Sequence, residues 1–82
     1  MRKTTFVIGL KWFDKVNGNT YCRPVVFLDD GSRLTDSYEY GYGDYYMEIA
    51  KRICKENDIE FNCPPHTDKW VKKSELRNEY YY

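Results

Sequence analysis

A chain of 82 residues has room for one domain with a thin core, so residues 1–82 are read as a single unit. Its 13 basic and 13 acidic side chains cancel, which removes the net basic face that duplex DNA binding needs and equally the acidity of a DNA mimic. No run of about 18 apolar residues occurs, so no helical membrane span is expected.

The first residues combine a basic start with an apolar run. That run stops at Lys11 without a small-residue cleavage site, so it reads as a strand rather than a leader. Residues 6–13 alternate, with Phe6, Ile8, Leu10 and Trp12 on one side of the pleat. Asn17-Gly18 then signals a two-residue type I′ turn. Residues 21–28 follow as the second strand, with Leu10 opposite Val25 and Ile8 opposite Phe27. Asp30-Gly31 repeats the signal. A tight turn there sets Leu34 opposite Phe27 and Tyr38 opposite Arg23. Ile8, Leu10, Val25, Phe27, Leu34 and Tyr38 are therefore expected on one face, the core face. Pro24 conflicts with a central strand, because its missing N–H breaks a ladder. Either the strand is irregular there or that position turns away from its neighbour.

Residues 44–57 read as a helix. Tyr46, Ile49, Ala50, Ile53 and Cys54 recur at three- and four-residue spacing, and this stripe is expected on the core face of the sheet. Glu48, Arg52 and Glu56 are spaced for i,i+4 ion pairs. Residues 59–61 suggest a short strand, Pro64-Pro65 breaks the chain, and residues 66–68 read as loop. Residues 70–76 read as a last strand or a short helix, and 77–82 as a frayed tail. The expected fold is α+β, a three- or four-stranded antiparallel sheet built as a hairpin meander, with one helix packed on one face. The opposite sheet face, with Val7, Phe13, Cys22, Val26 and Leu28, then either meets a partner or is covered by the segment of Trp70 and Val71.

Tyr38-Glu39-Tyr40-Gly41-Tyr42-Gly43-Asp44-Tyr45-Tyr46 is the densest aromatic stretch. As punctuation it ends a strand and opens the helix. Gly41 and Gly43 serve the backbone, as Asn17, Gly18 and Gly31 do in the hairpins, and Asp44 caps the helix through its carboxylate. Tyr38, Tyr40 and Tyr46 are expected to point inward. Tyr42 and Tyr45 are expected to be exposed, and with Tyr38 and Arg33 they are the candidate partner-binding residues, since tyrosine is enriched at binding hot spots. Gly-x-Gly before a helix also suggests a phosphate cradle, but Asp44 would repel a phosphate and no Gly-Lys-Ser/Thr follows. Lys72, Lys73 and Arg77 are the candidate nucleic-acid contacts, with Tyr42 and Tyr45 as stacking rings. Nearby acids, Asp36, Glu39, Asp44 and Glu75, oppose that reading.

Cys63-Pro64-Pro65-His66 raises the question of half a zinc site, with Cys22 and Cys54 to complete it. Cys54 falls on the apolar helix stripe and Cys22 in a strand, so no metal or other cofactor is expected. The odd, scattered cysteines suit a reducing cytoplasm rather than a disulfide framework. His66 is the only histidine, and no nucleophile–base pair stands out. Asp36 and Glu39 are expected on opposite faces. An enzyme is not expected.

Gly18-Asn19-Thr20-Tyr21, Tyr40-Gly41-Tyr42-Gly43-Asp44 and the basic stretch from Val71 to Arg77 together resemble a group of small proteins encoded by tailed bacteriophages. Members of that group share a GNTY hairpin and a YGYGD opening to a helix. The position after Asp44, often glutamine in the group, is Tyr45 here. The resemblance implies a setting, the cytoplasm of an infected bacterium. It also implies non-catalytic binding to a host protein such as a defence, transcription or replication factor; the chain itself is expected as a monomer or, should the uncovered sheet face meet a second copy, a homodimer. An inhibitor of a CRISPR effector belongs to that class. Single-stranded nucleic acid or nucleotide binding is the alternative.

Overall fold

The structure, a computed structural model, describes residues 2–78. Strands β1 (Thr4–Asp14) and β2 (Asn19–Leu28) form a long hairpin. Strand β2 also pairs antiparallel with the short strands β3 (Arg33–Thr35) and β4 (Glu39–Tyr40). Helix α1 (Tyr45–Glu56) follows, then β5 (His66–Trp70) and the five-residue helix α2 (Lys73–Arg77). The α+β class holds. The sheet is five-stranded and mixed, however, because β5 returns parallel to β1 in the order β3-β2-β1-β5. Residues 66–68 are therefore strand rather than loop. At residues 59–61 only the single bridge of Glu60 to Lys3 forms. Of the expected frayed tail, Arg77 ends α2, and residues 79–82 lie outside the described residues.

Side-chain oxygens decide both hairpin registers. Asp14 accepts the N–H groups of Val16 and Asn17 on one carboxylate oxygen, at 3.0 and 3.3 Å, and the Asn17 amide on the other. Its carbonyl accepts the Gly18 N–H at 2.7 Å. Residues 15–18 form a four-residue loop in which Gly18 alone is left-handed, φ +67°. Ile8 therefore meets Val25 and Leu10 meets Arg23. This is two residues from the expected register, so the facing of β1 and β2 is preserved. The second turn is a three-residue loop. Leu28 exchanges hydrogen bonds with Ser32 and Gly31, Gly31 takes φ +87°, and Asp30 accepts the Ser32 N–H at 2.9 Å. A left-handed glycine ending a three-residue loop is the common alternative to the two-residue turn. It sets Leu34 opposite Val26. That one-residue slip moves Leu34 to the other face.

The helix also takes the other face. Its stripe is as expected, with Tyr46, Ile49, Ala50, Ile53 and Cys54 all buried. It packs on Val7, Cys22, Val26, Leu28 and Ile59, not on Leu10 and Val25. Gly9 explains the choice. An added Cβ at Gly9 would stand 2.3 Å from the Tyr46 ring, so the ring lies on bare backbone that no other β1 residue offers. The face of Leu10 and Val25 closes instead on Leu76 of α2, with Ile8, Trp12, Tyr21, Phe27 and Val71 around it. The C-terminal segment thus covers a sheet face, the one opposite to that expected.

Arg23 fastens that cover, fully buried. Its Nε donates to the Leu76 carbonyl at 2.8 Å, and its terminal nitrogens reach the Asn78 carbonyl at 2.9 Å and Thr35 Oγ1 at 2.7 Å. Pro24 has its own resolution. Leu28 and Thr20 turn their backbone groups toward β3 and β4, so Pro24 does too, and it falls where β3 has ended and β4 has not begun. Its missing N–H breaks no ladder there, and its carbonyl accepts the Thr35 hydroxyl at 2.7 Å.

Candidate functional site

Strand alternation places Trp12, Tyr21 and Tyr40 on the α2 face, at the end of the sheet nearest the first hairpin. Their rings form a chain. Trp12 stacks on Tyr21 at 5.8 Å, and Tyr21 meets Tyr38 and Tyr40 edge-on at 5.7 and 5.9 Å. Tyr40 meets Tyr42 edge-on at 5.4 Å, and their hydroxyls share a 2.8 Å hydrogen bond. Tyr40 and Tyr42 are about half exposed, at 51% and 56%. The hydroxyl bond to Tyr42 and partial desolvation push the Tyr40 phenol above its ordinary pKa. Lys73 of α2 lies over the Trp12 ring, 5.4 Å from its centre.

Tyr38 and Tyr40 therefore do not point into the core. They stand on the face opposite α1, where α2 is too short to reach them. Tyr42 is exposed as expected. Tyr45 is 37% exposed, but it also does structural duty, because an added Cβ at Gly41 would stand 2.3 Å from its ring. Gly43 is left-handed, φ +58°. The two glycines thus differ: Gly41 makes room for a ring and Gly43 makes the bend. Tyr46 is buried, and burial pushes its phenol up to about 12.

Asp44 occupies the helix N-cap, but its carboxylate makes no capping hydrogen bond. The Asp44 carbonyl, not the side chain, accepts the Met47 N–H at 2.8 Å. Arg52 does not pair along the helix. It reaches across to Glu39 and, at 3.6 Å, to Asp36, so these two acids converge on one guanidinium rather than facing apart. Glu75 turns back onto the Lys72 N–H at 2.9 Å.

Arg33 stands apart from the tyrosines. It pairs with Phe27, six residues along β2 from Tyr21, or about 20 Å at strand rise. Lys73 joins the ring cluster, whereas Lys72, at the N-cap of α2, and Arg77, at its end, are exposed and make no ring contact among the described residues. Cys22 and Cys54 are buried and Cys63 is exposed. Burial pushes the Cys22 thiol up to about 11 and raises that of Cys54. Among the described residues no three His, Cys, Asp or Glu side chains gather where they could hold a metal, and no helix is long and apolar enough to cross a membrane.

Sequence reasoning missed Trp12, Tyr21 and Tyr40 as members of the surface, and it named Lys73 only as a nucleic-acid contact. The signal was present. Trp12 and Tyr21 both flank the first hairpin, and a loop with an even number of residues, the expected two or the observed four, sets both rings on one face. No known protein family, curated protein or solved structure matches the chain.

Proposed function

We propose that the protein is a non-catalytic binding module whose contact surface is the ring cluster of Tyr38, Tyr40 and Tyr42 on Trp12 and Tyr21, and that its partner is another protein. The observation that carries this reading is the locking of exposed rings by one another. Tyr40 and Tyr42 hold each other edge-on and through their hydroxyls, so little side-chain freedom remains to be lost on binding. Single-stranded nucleic acid is the weaker candidate. Base stacking needs open ring faces and a basic groove, whereas here Tyr21 and Tyr40 each offer a ring face or edge to a neighbouring ring, and the cation set on a ring of the cluster is Lys73, over Trp12. The phage resemblance makes a bacterial host factor the proposed partner, with an inhibitor of a defence system as one form.

Tyr40→Ala with Tyr42→Ala should change stability by no more than about 1 kcal/mol, because both rings are half in water. It should weaken the partner complex by about 2 kcal/mol or more if the pair forms a hot spot. Calorimetric binding to the captured partner checks the second value, and a thermal melt the first. Unchanged affinity would move the contact surface elsewhere.

A further inference from the structure

The sheet ends on β5, which pairs only with β1 among the described residues. All five β5 residues are exposed. Val7 donates to the Pro65 carbonyl and Val71 to the Lys11 carbonyl, at 3.1 and 2.8 Å. In a parallel ladder, bonding then alternates. Thr67 and Lys69 turn inward to β1, and the N–H and C=O groups of His66, Asp68 and Trp70 point out from the edge. The opposite edge offers no such template, because β3 and β4 are three and two residues long and are separated by residues 36–38.

A second copy of the chain is a poor occupant. Paired residues of adjacent strands share a face, so of the three symmetric antiparallel registers that keep at least three β5 residues paired, two set Asp68 against Asp68 or Lys69 against Lys69, and the third, Thr67 against Thr67, brings Pro64, which has no N–H, against the outward groups of Trp70. Like charges directly opposite oppose pairing. A different strand carries no such penalty. The edge also borders a cleft of about 270 Å³ between α1 and residues 61–66, with His66 common to both. Met47, Phe61 and Pro64 supply its apolar lining. Asp44 and Glu48 bring two carboxylates against the single ammonium of Lys51. Neither carboxylate has a hydrogen bond or ion pair among the described residues.

We infer that β5 is a strand-addition site for an extended segment of a different polypeptide, bearing a lysine or arginine that enters the cleft beside His66. The added strand bonds the outward groups of His66, Asp68 and Trp70. Its long basic side chain lays its stem on Met47 and Phe61 and its charge toward Asp44 and Glu48. This site is independent of the tyrosine surface.

The test uses the full chain assembled by ligation at Cys63, with either ordinary or N-methylated Asp68. Methylation removes an outward N–H that bonds nothing within the sheet and keeps the Asp68 carboxylate on Lys11, 3.1 Å away. A displayed library of random ten-residue peptides is selected against the unmodified protein. Enriched peptides should carry a lysine or arginine and should bind the N-methylated protein at least tenfold more weakly. They should bind Glu48→Gln more weakly as well, and the Tyr40→Ala, Tyr42→Ala protein unchanged. In the unmodified protein, bound peptide should slow hydrogen exchange at the His66, Asp68 and Trp70 amides, a readout that does not depend on the modified chain folding. Failure to enrich any peptide, equal binding to the N-methylated protein, or unchanged exchange at those three amides would overturn the assignment.

Discussion

Replacing Arg23 with alanine is expected to cost about 3–4 kcal/mol and to release the C-terminal segment. The guanidinium is fully buried and bonds the carbonyls of Leu76 and Asn78 at 2.8 and 2.9 Å. A hydrogen bond from a charged group contributes about 1.5–3 kcal/mol, and a buried acceptor left unpaired costs about 1–3 kcal/mol. At roughly 4–8 °C per kcal/mol for a domain of this size, the melting temperature should fall by more than 10 °C. Lysine should not restore it, since its single ammonium cannot span the Leu76, Asn78 and Thr35 oxygens together. The accompanying sign is faster amide exchange over Lys73–Arg77, ahead of global unfolding. A thermal melt with hydrogen exchange checks both. Slow exchange over α2 in Arg23→Ala would show that Leu76 alone holds the segment.

Gly9→Ala is expected to be as damaging, at about 3 kcal/mol or more. The new methyl would stand 2.3 Å from the Tyr46 ring. Overpacking in a filled core costs about 1–3 kcal/mol. Here the obstacle lies on a central strand, and the ring, 2% exposed, has nowhere to retreat. Adding Tyr46→Leu should recover part of the loss, because the two sites share one contact and their effects do not add. A double-mutant cycle from chemical denaturation measures this. Simple additivity would mean that the strand, not the ring, gives way.

Helix α1 was legible almost residue for residue, from Asp44 as N-cap position to the five buried side chains of its stripe. Its stripe has a period of its own, and no distant contact alters it. The sheet was half legible. Both turns were marked by left-handed glycines, but Asp14 and Asp30 lengthened them by accepting backbone N–H groups. Asn17-Gly18 and Asp30-Gly31 do not reveal that. The first lengthening, by two residues, kept every side chain on its face, and the second, by one, turned Leu34 over. Which face α1 takes was not readable from hydrophobicity, because Val7 and Val26 are as apolar as Leu10 and Val25. Gly9 under Tyr46 decides it, a contact between residues 37 apart. Strand β5 was hidden because His66, Thr67, Asp68, Lys69 and Trp70 carry the polarity of an exposed edge. In the candidate site, Tyr42 was readable from its flanking glycines. Tyr40 was not, because its facing follows from the same turn chemistry.

Photocrosslinking from position 42 tests the functional account most directly. A benzophenone amino acid replaces Tyr42 in the full chain expressed in bacterial cells, with a second preparation carrying it at Arg33, about 20 Å along β2 from Tyr40. The account predicts a discrete protein adduct from position 42, absent from position 33 and lost when Tyr40→Ala is added. Adducts from position 42 that disappear with nuclease, or a protein adduct from position 33 alone, would contradict it.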